Sequence, residues 1–141
     1  MDEHFLQVTD AATRFRRACE RYRDEHDNPF ASMKHFPKNC CSLASVAFMR
    51  FLRDKGIGEG VLLNFEYDTS KHYRHDVVLI NGWTVDLTRD QFDGEDRPVV
   101  IEREEDLPRS WELRELYTFD QLGGSRNEEH IRMHRDIQKF L

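Results

Sequence analysis

Cys40 and Cys41 stand side by side ahead of the densest apolar run in the chain, and His75 and Asp86 follow on two short segments joined by Asn81-Gly82. A thiol is a weak nucleophile until a base relieves it of its proton. The base serves best when a third group fixes its tautomer and orientation. Cysteine, histidine and aspartate in this order point to acyl chemistry: sulfur attacks a carbonyl, and the imidazole carries the proton. Cys41 is the expected nucleophile, His75 the base and Asp86 the orienting acid. Cys41 falls in the first turn of a predicted helix. Unpaired backbone N–H groups and the positive end of the dipole there favour a thiolate and can hold an oxyanion. Cys40, one residue earlier, points elsewhere and shares less of this benefit. Asn39, His35 and Ser42 are further candidate donors.

The hairpin must bring His75 and Asp86 together. Asn81-Gly82 is the turn pair that two-residue hairpins favour, because both residues tolerate positive φ. It predicts strands over Tyr73–Ile80 and Trp83–Leu87, with Ile80 opposite Trp83, Val78 opposite Val85 and Val77 opposite Asp86. One face then carries Val78, Ile80, Trp83, Val85 and Leu87, and the other His75, Val77, Leu79, Thr84, Asp86 and Thr88. Asp86 becomes the diagonal neighbour of His75. A one-residue slip would send Asp86 to the reverse face. The segment Cys41–Lys55 is apolar around nearly its whole circumference, which predicts a buried helix stopped by Gly56. Packing it on Val77 and Leu79 is the expected way to carry its first turn to His75.

The remaining pattern is that of an α+β domain over residues 1–141, with its motif-bearing core at about 36–92. Val8, Ala11/Ala12, Phe15, Ala18/Cys19 and Tyr22 form one stripe of an amphipathic helix running to about Glu25, with Cys19 as a small buried hydrophobe. Asn28-Pro29 ends it, and Phe30 to Asn39 reads as a loop. A strand is expected at about Gly60–Tyr67 and a short one at Val99–Ile101. Trp111–Phe119 reads as strand or helix. Gly123-Gly124 closes it, and a terminal helix over Asn127–Leu141 docks through Ile131, His134, Ile137 and Leu141. Trp83 and Trp111 read as core anchors; Thr88, Gln91 and Phe92 either shape the cleft or serve packing and capping.

Composition narrows the partners. The 141 residues are 34% charged, with a formal charge of −6, which argues against general attraction to nucleic acid or to an anionic membrane surface. Arg14, Arg16, Arg17, Arg21 and Arg23 are interrupted by Glu20, Asp24 and Glu25, the pattern of a solvated helix face. No apolar stretch approaches the roughly 20 residues that span a bilayer, and Met1–Asp10 does not read as a secretory segment. Three cysteines, two of them adjacent, make a poor disulfide framework. A cytoplasmic location is the expectation, as is a protein or peptide substrate in a shallow cleft. No cofactor and no metal is called for. Cys40, Cys41, His72 and His75 are competent zinc ligands, but they lack a paired C-x2-C spacing. His130 and His134 share a helical face and lack the glutamate of a metalloprotease pattern.

The segments Phe36-Pro37-Lys38-Asn39-Cys40-Cys41-Ser42-Leu43-Ala44-Ser45, His75, and Asn81-Gly82-Trp83-Thr84-Val85-Asp86-Leu87-Thr88 with Gln91-Phe92 resemble a bacterial branch of the papain-like and transglutaminase-like cysteine superfamily. That branch carries Phe-Pro-x-Gly-x-Cys-x-x-Ala-Ser, a strand-opening His, and Asp-Leu-Thr-x-x-Gln-Phe. The resemblance covers about Phe36 to Phe92. It implies a nucleophile helix packed on a short, mainly antiparallel sheet. It also implies the roles of Cys41, His75 and Asp86 stated above, and action on amides by peptide hydrolysis, deamidation or acyl transfer to an amine. A catalytically inactive relative serving as an interaction or immunity-type module is the competing expectation. Asn39 stands where the branch has Gly, and Asp76-Val77 where it has Ala-Trp, which places a carboxylate beside the base.

Overall fold

The structure is a computed structural model that describes residues 2–27, 29, 31–38, 41–68, 70–122 and 128–141, without the side chains of 31, 32, 129 and 130. Cys40, Asn39, the helix stop expected at Asn28 and the Gly123-Gly124 end expected for the 111–119 element lie outside the described residues. Helix α1 spans Glu3–Glu25, five residues earlier than its apolar stripe suggested, because the Asp2 carboxylate caps it by accepting from the N–H groups of His4 and Phe5. A short 3-10 helix, Ala31–His35, interrupts the expected loop. Helix α2 covers Cys41–Asp54, and Gly56 takes φ +69 just beyond it.

Strands β1 (Val61–Asp68), β2 (Tyr73–Ile80), β3 (Trp83–Asp86), β4 (Val100–Glu102) and β5 (Glu112–Thr118) form one sheet in the order β4-β3-β2-β1-β5, with every pairing antiparallel. Helix α3, Glu128–Gln138, closes the α+β domain. The turn between β2 and β3 has φ +50 at Asn81 and +83 at Gly82, and the register pairs Ile80 with Trp83, Leu79 with Thr84 and Val78 with Val85. That is the two-residue alignment the turn chemistry predicts. Segment 111–119 resolves as strand. Six of the seven β5 residues are exposed, so neither face carries a burial pattern to tell strand from helix by periodicity.

Helix α2 lies on the opposite side of the sheet from the one its sequence suggested. Ala44 to Met49, Phe51 and Leu52 are buried, and they join Leu62, Val78, Ile80, Val85 and Leu87 in the main core, with Phe15 of α1 and Met133 and Ile137 of α3. A Cβ on Gly60 would stand 2.9 Å from Val78 and 3.2 Å from Met49, so the bare backbone there is what lets α2 approach β2 so closely. Phe15, Phe48 and Phe51 sit with ring centroids 5.3 to 6.3 Å apart at the centre of this layer. The reverse face, with Val77 and Leu79, meets Leu63, Phe65, Leu107 and Trp111 in a second, smaller cluster. The physical reason is area. Three helices bring far more apolar surface than the β4–β5 connection can supply, and the face with Val78, Ile80, Val85 and Leu62 is the one wide enough to bury it.

Two further expectations change. Arg16 does not belong to a solvated face: it is buried, its guanidinium paired with both oxygens of Asp90 at 2.8 Å and donating to the carbonyls of Leu87 at 2.7 Å and Pro98 at 3.0 Å. It therefore fastens α1 to the segment leaving β3. Trp83 is a half-buried residue at the sheet's end and not a core anchor. It lies against Phe5, under the Arg103 guanidinium at 3.6 Å, and donates from Nε1 to Asp2. No helix among the described residues is long and apolar enough to cross a membrane.

Candidate active site

Strand β3 ends at Asp86, so the stretch of β2 that carries His75 has β1 as its only paired neighbour, Phe65 lying opposite. The chain leaving β3 fills the vacant side with side chains instead of backbone. Asp86 Oδ2 lies 2.7 Å from His75 Nε2, the contact that the hairpin register foretold. The same oxygen accepts from Arg89 Nε at 2.7 Å, and Oδ1 accepts from the Thr88 N–H at 3.0 Å. Asp86 thus plays two roles at once: it satisfies backbone past the strand end and it orients the imidazole. Arg89 reaches on to Glu102 Oε1 at 2.6 Å, so the charges run in a line, His75–Asp86–Arg89–Glu102.

The ring of His75 is 1% exposed. Phe92 and Trp111 meet it edge to face, with centroids 4.9 and 5.2 Å away, and Tyr67 packs in the same way on Phe92 at 4.9 Å. Trp111 in turn lies 4.8 Å under the Arg89 guanidinium and 5.7 Å from Phe65. It is a wall of this site more than an anchor of the main core. Nε2 being taken by Asp86, any proton transfer falls to Nδ1, which the Gln91 amide also faces at 3.1 Å. Cys41, partly exposed at the start of α2, lies close enough to hydrogen-bond with the ring and helps to hold its charge. The structure therefore brings Cys41, His75 and Asp86 together, although α2 comes from the other side of the sheet.

Comparison of the chain with family models, with curated proteins and with solved structures gives no match. What the site can do rests on its own chemistry.

Burial opposes a charged imidazole, but the Asp86 hydrogen bond and charge, helped by the Cys41 thiol, overcome it and lift His75 from 6.5 to about 9. Burial likewise opposes an ionised Asp86, yet His75 and Arg89 hold its carboxyl below the ordinary 3.8. The two shifts agree on an ion pair at neutral pH. The folded chain holds the His75 proton more tightly than the unfolded chain does. Its contribution to stability is therefore fully present below about 6.5 and disappears as pH rises through about 9. Asp86 works in the other direction: its contribution is present above 3.8 and is lost as pH falls through its depressed folded value. A rise from 6.5 to about 9 is worth at most about 3 kcal/mol. Denaturant unfolding of the wild type and of His75→Gln across pH 6 to 10 checks this. The stability difference between them is expected to shrink by a large part of that amount over the window. A difference that stays flat would show that the ring is neutral in the folded chain.

Asp76, the carboxylate flagged beside the base, faces α2. It accepts from Asn64 Nδ2 at 2.7 Å and from Ser42 in the first turn of the helix. Burial pushes its carboxyl up, against the pull of Asn64, the His75 charge and Ser42. It thus couples the first turn of α2 to the strand bearing His75, and it occupies the hydroxyl of Ser42. His35 is exposed.

His72 is exposed and near Glu66, and both nitrogens of His75 face other partners. Among the described residues no group of three or more His, Cys, Asp or Glu side chains could hold a metal ion. Sequence reading overlooked Arg89, Tyr67 and the place of Trp111. Arg89 had a signal, an opposite charge three residues after Asp86. Tyr67 falls at the register shift between Glu66 and Asp68, which alternation along the strand does not foretell. Trp111 had none, since it reaches His75 only through the fold.

Proposed function

We propose that this chain is a cysteine-dependent acyl-transfer enzyme of the papain-like or transglutaminase-like type, acting on a carboxamide or peptide bond of a protein or peptide. The observation that carries the reading is the buried His75, held through Nε2 by Asp86 and flanked by a partly exposed thiol at a helix N-terminus. With the ring charged, the sulfur of Cys41 attacks as a thiolate and forms an S–C bond to the carbonyl carbon. The carbonyl electron pair moves onto oxygen. First-turn N–H groups of α2, which have no partner within the helix, are suited to receive that charge. The oxyanion then collapses, the C–N bond breaks, and the Nδ1 proton of His75 goes to the departing nitrogen. Neutral His75 next takes a proton from water or from an amine, which attacks the thioester and releases the sulfur as thiolate. Water yields hydrolysis or deamidation, and an amine yields acyl transfer.

The competing reading, a non-catalytic interaction module, fits a covered thiol better than the partly exposed Cys41. A complex peptide mixture incubated with the protein and a labelled primary amine supplies the test. New amino termini, released ammonia and incorporated amine report the three outcomes. Acid quenching should trap an acyl group on Cys41, visible as added mass on the peptide that contains it. If none of these products exceeds the level of a Cys41→Ala control, the enzyme reading fails.

A further inference from the structure

Nδ1 of His75 performs the proton transfers proposed above, yet a second side chain already faces it. The terminal amide of Gln91 lies 3.1 Å from Nδ1, and the same amide atom lies 3.1 Å from the hydroxyl of Thr88. Thr88 donates its own N–H to Asp86 Oδ1 at 3.0 Å, so ring, amide, hydroxyl and acid close into one loop. The backbone keeps Gln91 there: it ends the 3-10 helix Arg89–Gln91, with its N–H bonded to Thr88 O at 3.0 Å.

An amide has a donor end and an acceptor end, exchanged by a half turn about its last torsion. When the ring carries a proton on Nε2 alone, Nδ1 is an acceptor. The NH2 end of Gln91 then donates both to Nδ1 and to the Thr88 hydroxyl. When the ring is charged, both nitrogens donate, and an NH2 group facing Nδ1 would set donor against donor. The oxygen end resolves this by accepting from Nδ1–H and from the Thr88 hydroxyl at once. The same short contact is therefore satisfied in both protonation states, provided the amide turns over.

We propose that Gln91 is a positioning residue for His75, its amide reversing as the ring gains or loses its proton and so keeping the imidazole plane in place through both halves of the reaction. The proposal rests on reading His75 as the acid–base group. A bond from a charged donor is about twice as strong as a neutral one. Gln91 therefore favours the charged ring as well as orienting it. The other groups around the ring have separate effects. Asp86, Cys41 and Asp76 favour the charge, Arg89 opposes it from behind Asp86, and Phe92, Trp111 and Phe65 carry none; Tyr67 stands behind Phe92.

Titration of the His75 ring by NMR in histidine-labelled protein tests this without any turnover. His75→Gln identifies its signal among the seven histidines. Wild type is expected to titrate near 9. Gln91→Met, which keeps bulk and removes both polar ends, should lower the midpoint by about half to one pH unit. Thr88→Val, which frees the amide from its second partner, should move it less and in the same direction. Gln91→Glu is nearly isosteric and should raise the midpoint by about one unit or more, so it decides the matter if the methionine variant folds poorly. A structural role alone would leave the ring's titration in place. Midpoints agreeing within about 0.2 pH unit, or a glutamate variant that lowers the value, would overturn the proposal. Shifted midpoints in a protein that turns nothing over would sink the enzyme reading and leave the role of Gln91 standing; the reverse result would do the opposite.

Discussion

Asp86→Ala should cost about 3–5 kcal/mol of folding stability, the largest loss expected from any one substitution around the site. Asp86 is 1% exposed and meets His75, Arg89 and the Thr88 N–H at once. Truncation leaves two cationic groups facing a void that water fills poorly. Arg89 keeps Glu102, but His75 loses the charge that held its proton and should revert to a neutral ring. Asp86→Asn keeps the shape and one accepting oxygen, so its cost should be smaller, about 1–3 kcal/mol. Urea unfolding at pH 7 measures both. An alanine variant within about 1 kcal/mol of wild type would mean that the carboxylate is dispensable to the fold and that the charged line from His75 to Glu102 does not hold the site.

The second large effect is on the sulfur. In native protein near pH 6 to 7, iodoacetamide is expected to modify Cys41 and to spare Cys19, which is fully buried, until the chain is unfolded. His75→Ala should slow modification of Cys41 by about 10- to 100-fold, because the imidazole beside the sulfur is the group placed to take up its proton. Under the acyl-transfer reading proposed above, Cys41→Ala should reduce turnover about 1000-fold or more while leaving the fold intact, since the residue lies at a helix end and not in the core. Mass spectrometry of timed, quenched samples gives the rates residue by residue. Equal rates and equal pH dependence in wild type and His75→Ala would remove the histidine from any part in activating the thiol.

Much of this site is legible in local chemistry. Asn81 and Gly82 tolerate positive φ, which determines the turn, and the turn determines that His75 and Asp86 share a face. The apolar run after Cys41 determines a buried helix, and its start determines which of the two thiols enters the first turn. These inferences hold because each depends on residues within a few positions of one another, where sterics and alternation leave little choice.

Choices among distant surfaces are different. The pattern showed two faces on the β2–β3 ribbon but could not weigh the helices and strands that would compete for them, and α2 settled on the wider one. Arg16 looks like its solvated neighbours in α1 until Asp90 and two carbonyls arrive from the far side of the chain. Trp111 becomes a wall for His75 only because β5 pairs with β1, which places the residue just ahead of β5 beside Phe65. Short-range geometry thus determined which groups could act as nucleophile, base and acid. The burial around His75, the second cation on Asp86 and the amide at Nδ1 were decided by tertiary packing, because the energy of a charge depends on everything that displaces water around it.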